Sequence, residues 1–422
     1  MKNLRELILT ALQDVEAGVS FSHIALKNLL DKNAELEKNQ RAFITRELEG
    51  VLERRLTLDH IIDRFVKDKK AVRPVIRNLL RMGAFELYFM DSVPPSATVN
   101  EIVKLTEKKG LKGLKGFVNG VLRNIDRKRI DLSTLPPSCA FSIPEEILNL
   151  LIDAFGEEEA LRIAAASLAP APLTVHFNTL KKTEEEILNS LENSNVHAQK
   201  WEDTALAYRL RDLDRLPSLP AFSEGLLFVQ DLSSMLALDS AHLNAGMKIL
   251  DLCSAPGGKS FYLYERLRGN CEITACDLTI EKTDLIRENA KRLSFDKIKI
   301  EEQDARVLRE DRNEAFDLVV ADLPCSGLGV MGRKKDLKYR ITAKDMKELA
   351  ALQREILNNA VHYVRKGGEL LYSTCTLNPK ENQENAARFI TEHKEFEKVR
   401  EETILPVEGK RDGFYYALFH KA

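Results

Sequence analysis

Long apolar runs are missing from this 422-residue chain, which removes a membrane-spanning helix from consideration. Its first twenty residues, MKNLRELILTALQDVEAGVS, are interrupted by Arg5, Glu6, Asp14 and Glu16, so no signal-peptide core is expected. Cysteine is scarce: six residues, none in a C-x-x-C pair, and the nearest two, Cys271 and Cys276, have no histidine close in sequence. This argues against a disulfide framework and a metal site, and fits reduced thiols in a cytoplasmic protein. Charge of one sign is missing too. Lys and Arg total 63 against 65 Asp and Glu, a net charge of −2, so affinity for nucleic acid has to come from a local patch. Proline is sparse before Pro94, which leaves long helices uninterrupted.

What is present falls into three textures, as the length suggests for two or three domains. Residues 1–135 are helical throughout: Leu4, Leu7, Ile8, Ala11, Leu12 and Val15 share one face at 3.6-residue spacing. Pro94 and Pro95 break this pattern, and Ser96 or Thr98 is the expected cap of the next helix. Pro136, Pro137 and Pro144 mark a boundary. Residues 140–235 predict a small α+β linking domain: two short helices split at Gly156, a strand in PLTVHFNTL and a helix in TEEEILNSLENS. Residues 236–422 alternate short apolar runs (MKILDLC, CEITACD, KIKIEEQD, FDLVVADLPC, GGELLYSTC) with helical segments, which predicts an α/β domain with a mostly parallel sheet. Ligands of such sheets bind at the carboxyl ends of the strands.

One strand end, LDLCSAPGGKS, turns through Gly257 and Gly258 into a helix. Those glycines let a ligand approach the backbone, and the helix start favours an anionic group. The stretch is not a P-loop, because Cys253 stands where that motif needs glycine, nor is it G-x-G-x-x-G. A loop for S-adenosylmethionine remains, formed by Cys253, Ser254, Ala255, Pro256, Gly257, Gly258 and Lys259. A ligand-free strand–helix turn is the plain alternative. Asp277 after the second strand suits a ribose diol, and Asp304 after the third suits an adenine amino group. A lone aspartate is more often a solvated loop residue, but acids at successive strand ends are harder to explain that way.

Two more strand ends carry cysteine: Asp322-x-Pro324-Cys325 and Thr374-Cys375. Free cysteine is usually a buried hydrophobe, yet both lie where side chains face a crevice. Methyl transfer to nitrogen or oxygen needs no thiol. Carbon 5 of a pyrimidine does, because thiolate addition at carbon 6 makes carbon 5 nucleophilic. Asp322 is placed to support N3 of the ring. A second thiol suits the release step, and Lys259 or a helix start would favour the thiolate.

Together DLCSAPGGKS, ACDL, QDAR, ADLPCSG and YSTCTLNPKENQEN resemble the Sun-type family of RNA 5-methylcytosine methyltransferases. The resemblance implies a Rossmann-like class I methyltransferase domain, Cys375 as nucleophile, Cys325 in product release, and cofactor or base contacts from the 253–259 loop, Asp277, Asp304 and Asp322. RAFITRELEGVLERRLTLD, IRNLLRMGAFELYFMDSVPPSATVNEIVKL and KGFVNGVLRNI resemble the NusB-type helical RNA-binding domain. That pairing is found in bacterial enzymes acting on a cytosine of 16S ribosomal RNA, which makes this RNA the expected partner. Departures from the family pattern include His176 where arginine is usual, Lys335 where proline is common, and the absence of a tryptophan in SIPEEIL.

Between Lys104 and Arg129 the chain carries nine Lys or Arg against Glu107 and Asp126. Lys104, Lys108, Lys109, Lys112 and Lys115 are expected to meet phosphates, as are Arg333, Lys334 and Lys338 just after the P-C motif, where Lys335 and Arg340 extend the cluster. A solvated helix face is the plain alternative for such runs. Other readings are 5-methylcytosine formation in another RNA, a methyltransferase for protein or DNA, and a non-catalytic RNA-binding assembly factor. A monomer is expected.

Overall fold

A computed structural model describes residues 3–422. The chain forms two compact units: one runs to Leu168 and includes Met331–Arg340, and the other comprises Ala169–Val330 and Ile341–Ala422. The helical pair Glu145–Phe155 and Glu157–Ala166, split at Gly156 as its sequence indicated, belongs to the first unit rather than to the α+β unit.

The helical unit is built from amphipathic helices whose apolar stripes meet. Ile8, Ile44, Leu48, Leu58, Ile61, Leu79, Ile102 and Leu122 are fully buried in its core. Asn3 caps the helix Leu4–Glu16 through Glu6 N–H. Neither Ser96 nor Thr98 caps the next helix after Pro94. Pro95 occupies its first position, where the fixed φ of proline suits a helix and a missing N–H costs nothing, and the buried Thr98 hydroxyl instead donates to Glu86 at 2.7 Å.

The other unit contains two sheets. The smaller is antiparallel, in the order β2-β3-β1-β4, with β1 Leu173–Phe177, β2 His197–Lys200, β3 Ala207–Arg211 and β4 Leu227–Val229. The larger has seven strands: β5 Met247–Asp251, β6 Cys271–Asp277, β7 Lys299–Glu302, β8 Phe316–Asp322, β9 Val364–Thr374, β10 Phe396–Ile404 and β11 Phe414–Lys421. Their order is β10-β11-β9-β8-β5-β6-β7. All pairings from β9 to β7 are parallel; β10 and β11 are antiparallel additions at one side. The alternation of side chains along a strand sends Ile249, Leu318, Val320 and Leu371 to one face and Leu250, Val319, Ala321 and Leu370 to the other. The helices Gly258–Arg266 and Ile280–Leu293 cover the first face, and Ala343–Tyr363 with Gln383–Glu392 cover the second. No helix among the described residues is long and apolar enough to cross a membrane.

Candidate active site

Because β5, β6, β8 and β9 run parallel, their last residues share one edge: Asp251, Asp277, Asp322 and Thr374. Pro324 and Pro379 follow closely after β8 and β9 and cannot extend the ladder.

The loop after β5 is drawn tight by its own backbone. Ser254 N–H donates to Cys276 O on β6, and Gly257 N–H to Ser254 O. Gly257 has φ +104°, and a Cβ there would lie 2.2 Å from the Phe261 ring, so only glycine fits. Ala255 N–H donates to Asp277 at 2.9 Å, which fixes the loop to the end of β6. Ser254 and Ser260 hydroxyls lie 3.1 Å apart, and Ser260 donates to Asp251 at 2.7 Å. Pro256 and Gly258 complete the turn. Burial pushes the Cys253 thiol well up, so that sulfur remains protonated.

These residues fit S-adenosylmethionine. Asp251 is fully buried, one of its oxygens has no partner, and burial raises its pKa to about 6. An ammonium-bearing ligand satisfies such a carboxylate. Asp277 accepts from Ala255 N–H, Leu278 N–H and the half-exposed Lys282 ammonium, leaving one of roughly four carboxylate lone-pair sites for a ribose hydroxyl. Asp304 stands two residues beyond β7, partly exposed, and pairs with Arg306 at 2.6 Å, so an adenine amino group placed there would have to share it with that arginine.

The two thiols are brought together. Cys325 Sγ and Cys375 Sγ, fifty residues apart in sequence, lie 3.3 Å apart, and both residues are partly exposed. The hydrogen bond to Cys375 and then burial hold Cys325 well above the usual thiol range. Asp322 accepts from Ser373 at 2.9 Å and pairs with Lys259. Burial alone would lower the Lys259 pKa, but Asp322, Asp251 and Cys375 outweigh it and raise it, so the ammonium persists beside the sulfur pair. Cys271 and Cys276 are each pushed up to about 11 by burial and stand apart from this chemistry.

The basic residues divide. Lys104, Lys108, Lys109, Lys112 and Lys115 lie on the helical unit in ion pairs with Glu101, Glu6 or Glu107. Exposed pairs of this kind contribute little, so they would yield readily to a phosphate. The cluster after the P-C motif is largely built into the helical unit. Lys338 is 2% exposed, its pKa lowered to about 7 by burial, and it does not offer its ammonium to a phosphate. Lys335 pairs with Glu53, and Arg340 donates to Val15 O at 2.8 Å. Arg333 is half-buried; Lys334 alone of this cluster is exposed.

Several site residues escaped the sequence reading. Asp251 obeys the same rule of an acid at a strand end that singled out Asp277 and Asp322. Gly329 N–H donates to Cys375 O at 2.9 Å, and a Cβ at Gly329 would come within 2.8 Å of that oxygen; no sequence signal marks it. Glu381 and Asn382 stood out only as part of a motif, without a role.

Comparison with known proteins agrees with this geometry. The NusB family matches residues 2–127, a ferredoxin-like domain of RsmF/B-like methyltransferases matches 143–212, and the 16S rRNA methyltransferase RsmB/F family matches 237–420. The chain is 34% identical over 402 residues to a probable ribosomal RNA small subunit methyltransferase B of Bacillus subtilis, covering 94% of this chain and 90% of that protein. It is 31% identical over 437 residues to ribosomal RNA small subunit methyltransferase B of Shewanella oneidensis, covering 100% and 99%. A solved crystal structure at 23% identity, covering 100% of this chain and 99% of its own, shares the fold with a TM-score of 0.84. With the thiol pair and the cofactor loop in place, these likenesses establish that the chain belongs to the RsmB/F family of 16S rRNA methyltransferases.

Proposed function

We propose that this site methylates carbon 5 of one cytosine in 16S ribosomal RNA through a transient bond between Cys375 and carbon 6 of the base. The 3.3 Å approach of Cys325 to Cys375 carries the reading, because methylation of nitrogen or oxygen calls for no thiol at all. Lys259 favours the Cys375 thiolate. That thiolate adds to carbon 6, electron density moves toward N3 and carbon 5, and Asp322 lies beside Lys259 to support the ring nitrogen. S-adenosylmethionine supplies the methyl group, made electrophilic by its sulfonium.

Bond formation takes from Cys375 the thiolate that accepts the Cys325 hydrogen bond, and that hydrogen bond is the first cause that holds Cys325 protonated. Cys325 then gives its proton to water, and the resulting thiolate takes the proton from carbon 5. The electron pair of that C–H bond restores the C5–C6 double bond and expels Cys375 as thiolate. The base must leave its stack to reach the sulfur, so the substrate is single-stranded or flipped. Lys104, Lys108, Lys109, Lys112, Lys115 and Lys334 serve the phosphates.

Incubation of 16S RNA with labelled cofactor, followed by nucleoside analysis, tests this directly. Label is expected in 5-methylcytidine, with none from Cys375→Ala and a gel-stable protein–RNA adduct from Cys325→Ala. Label on a ring nitrogen or a ribose oxygen would sink the proposal.

A further inference from the structure

The residues that follow the two thiols are bound to each other. Ser326 Oγ lies 2.7 Å from Thr376 Oγ1, so each cysteine is succeeded by a hydroxyl that meets its counterpart. The direction of this chain is set by Glu381. Ser326 donates its hydroxyl proton to Glu381 Oε1 at 2.5 Å, so Thr376 has to donate to Ser326; Thr376 Oγ1 in turn is left to accept from Leu328 N–H and Asn378 N–H. A carboxylate only accepts, so every proton in the chain points toward Glu381.

Glu381 is fully buried, and among the described residues its oxygens are held by neutral donors alone. Ser326 N–H donates to Oε2 at 2.8 Å, Asn378 Nδ2 to Oε1 at 2.8 Å and Gln353 Nε2 to Oε2 at 3.1 Å. Gln353 Nε2 also reaches Pro324 O at 2.8 Å, on the other side of Cys325. The neighbouring Asn382 grips the other loop: it accepts from Thr374 Oγ1 at 2.6 Å and donates to Thr376 O at 2.9 Å, on either side of Cys375. A buried carboxylate without a cation is a costly choice if the aim is stability alone.

We infer that Glu381 is the positioning residue of the thiol pair: its buried carboxylate ties the Cys325 loop to the Cys375 loop and fixes where Cys325 stands while Cys375 is bonded to the base. The inference rests on the two-thiol reading above. Glu381 also contributes, after Cys375 and burial, to the raised pKa of Cys325, which makes that sulfur a stronger base once it has ionised. Release of the product is the step most exposed to its loss, because it requires Cys325 to meet the carbon 5 proton at one fixed place.

Glu381→Gln keeps the shape and turns one accepting oxygen into an NH2 that opposes the donors facing it. With the full chain, 16S RNA and S-adenosylmethionine, E381Q is expected to keep both KM values within about threefold. It should lose about a hundredfold in kcat, the usual scale for a small misplacement of a reacting group. It should also accumulate a protein–RNA adduct on denaturing gels, absent when C375A is added. A general loss of stability would not produce that adduct. Wild-type kcat without adduct overturns the inference. Cys325→Ala run alongside separates the two claims: if C325A traps nothing, the two-thiol reading fails, whereas if C325A traps adduct and E381Q turns over normally, only the role of Glu381 fails. Should E381Q not fold, Ser326→Ala removes the hydroxyl link and leaves the carboxylate in place; adduct is again expected, and normal turnover again overturns the inference.

Discussion

At the ends of β8 and β9 the polar side chains bond across loops inside the protein, as Glu381, Ser326 and Thr376 do. At the ends of β6 and β7 each acid also has a partner that can leave: Asp277, beside its two backbone donors, pairs with the half-exposed Lys282, and Asp304 with the exposed Arg306. The difference follows from what each half has to do. The covalent step proposed above tolerates little displacement of its sulfurs, which accounts for surroundings that are fixed beforehand. A cofactor has to enter and leave, so these two acids keep a side-chain partner that can give way to ligand.

Replacing Cys375 with alanine should give the largest effect, a loss of about 10⁴-fold or more in methyl transfer, because it removes the sulfur that the proposed mechanism bonds to carbon 6. Asp277→Asn should weaken cofactor binding by about 10–100-fold, the scale of one or two charge-assisted hydrogen bonds, with kcat at saturating cofactor little changed. Calorimetric titration with S-adenosylmethionine measures it, and a collapse of kcat instead would erase the distinction between the halves. Lys259→Met should slow transfer about tenfold at neutral pH. Loss of the ammonium disfavours the thiolate, so the rate–pH profile should move to higher pH and recover on alkalisation; an unmoved profile would remove Lys259 from thiol activation. Asp304→Ala should have the smallest effect, a few-fold in cofactor KM, because a half-exposed acid paired with arginine gains little from one more donor. An effect equal to that of Asp277→Asn would mean that both acids grip the cofactor alike.

The strand ends were legible because a doubly covered parallel sheet demands short apolar runs, and a charged residue after such a run has to stand at an edge. That reasoning located Asp277, Asp322, Cys325 and Cys375, and it applied equally to Asp251. The strand β10 was not read because FEKVREETI carries the Glu, Lys and Arg of an exposed edge strand. Its partner β11 is an apolar run that β-propensity alone would have marked. Lysine runs were the least legible feature. Lys104 and Lys338 look alike in a sequence, yet one is exposed and the other lies inside the helical unit. What decides between them is packing against residues hundreds of positions away, such as Glu53 beside Lys335 and Ser142, whose hydroxyl lies 2.8 Å from that of Tyr339.

Met331–Arg340 departs from the α/β part of the chain six positions after Cys325 and is packed as a piece of the helical unit. The helices are therefore no detachable accessory. Truncation at residue 168 would strip Tyr339, Lys335 and Arg340 of their partners and leave a ten-residue stretch of stranded polar groups beginning six positions after Cys325 in the sequence.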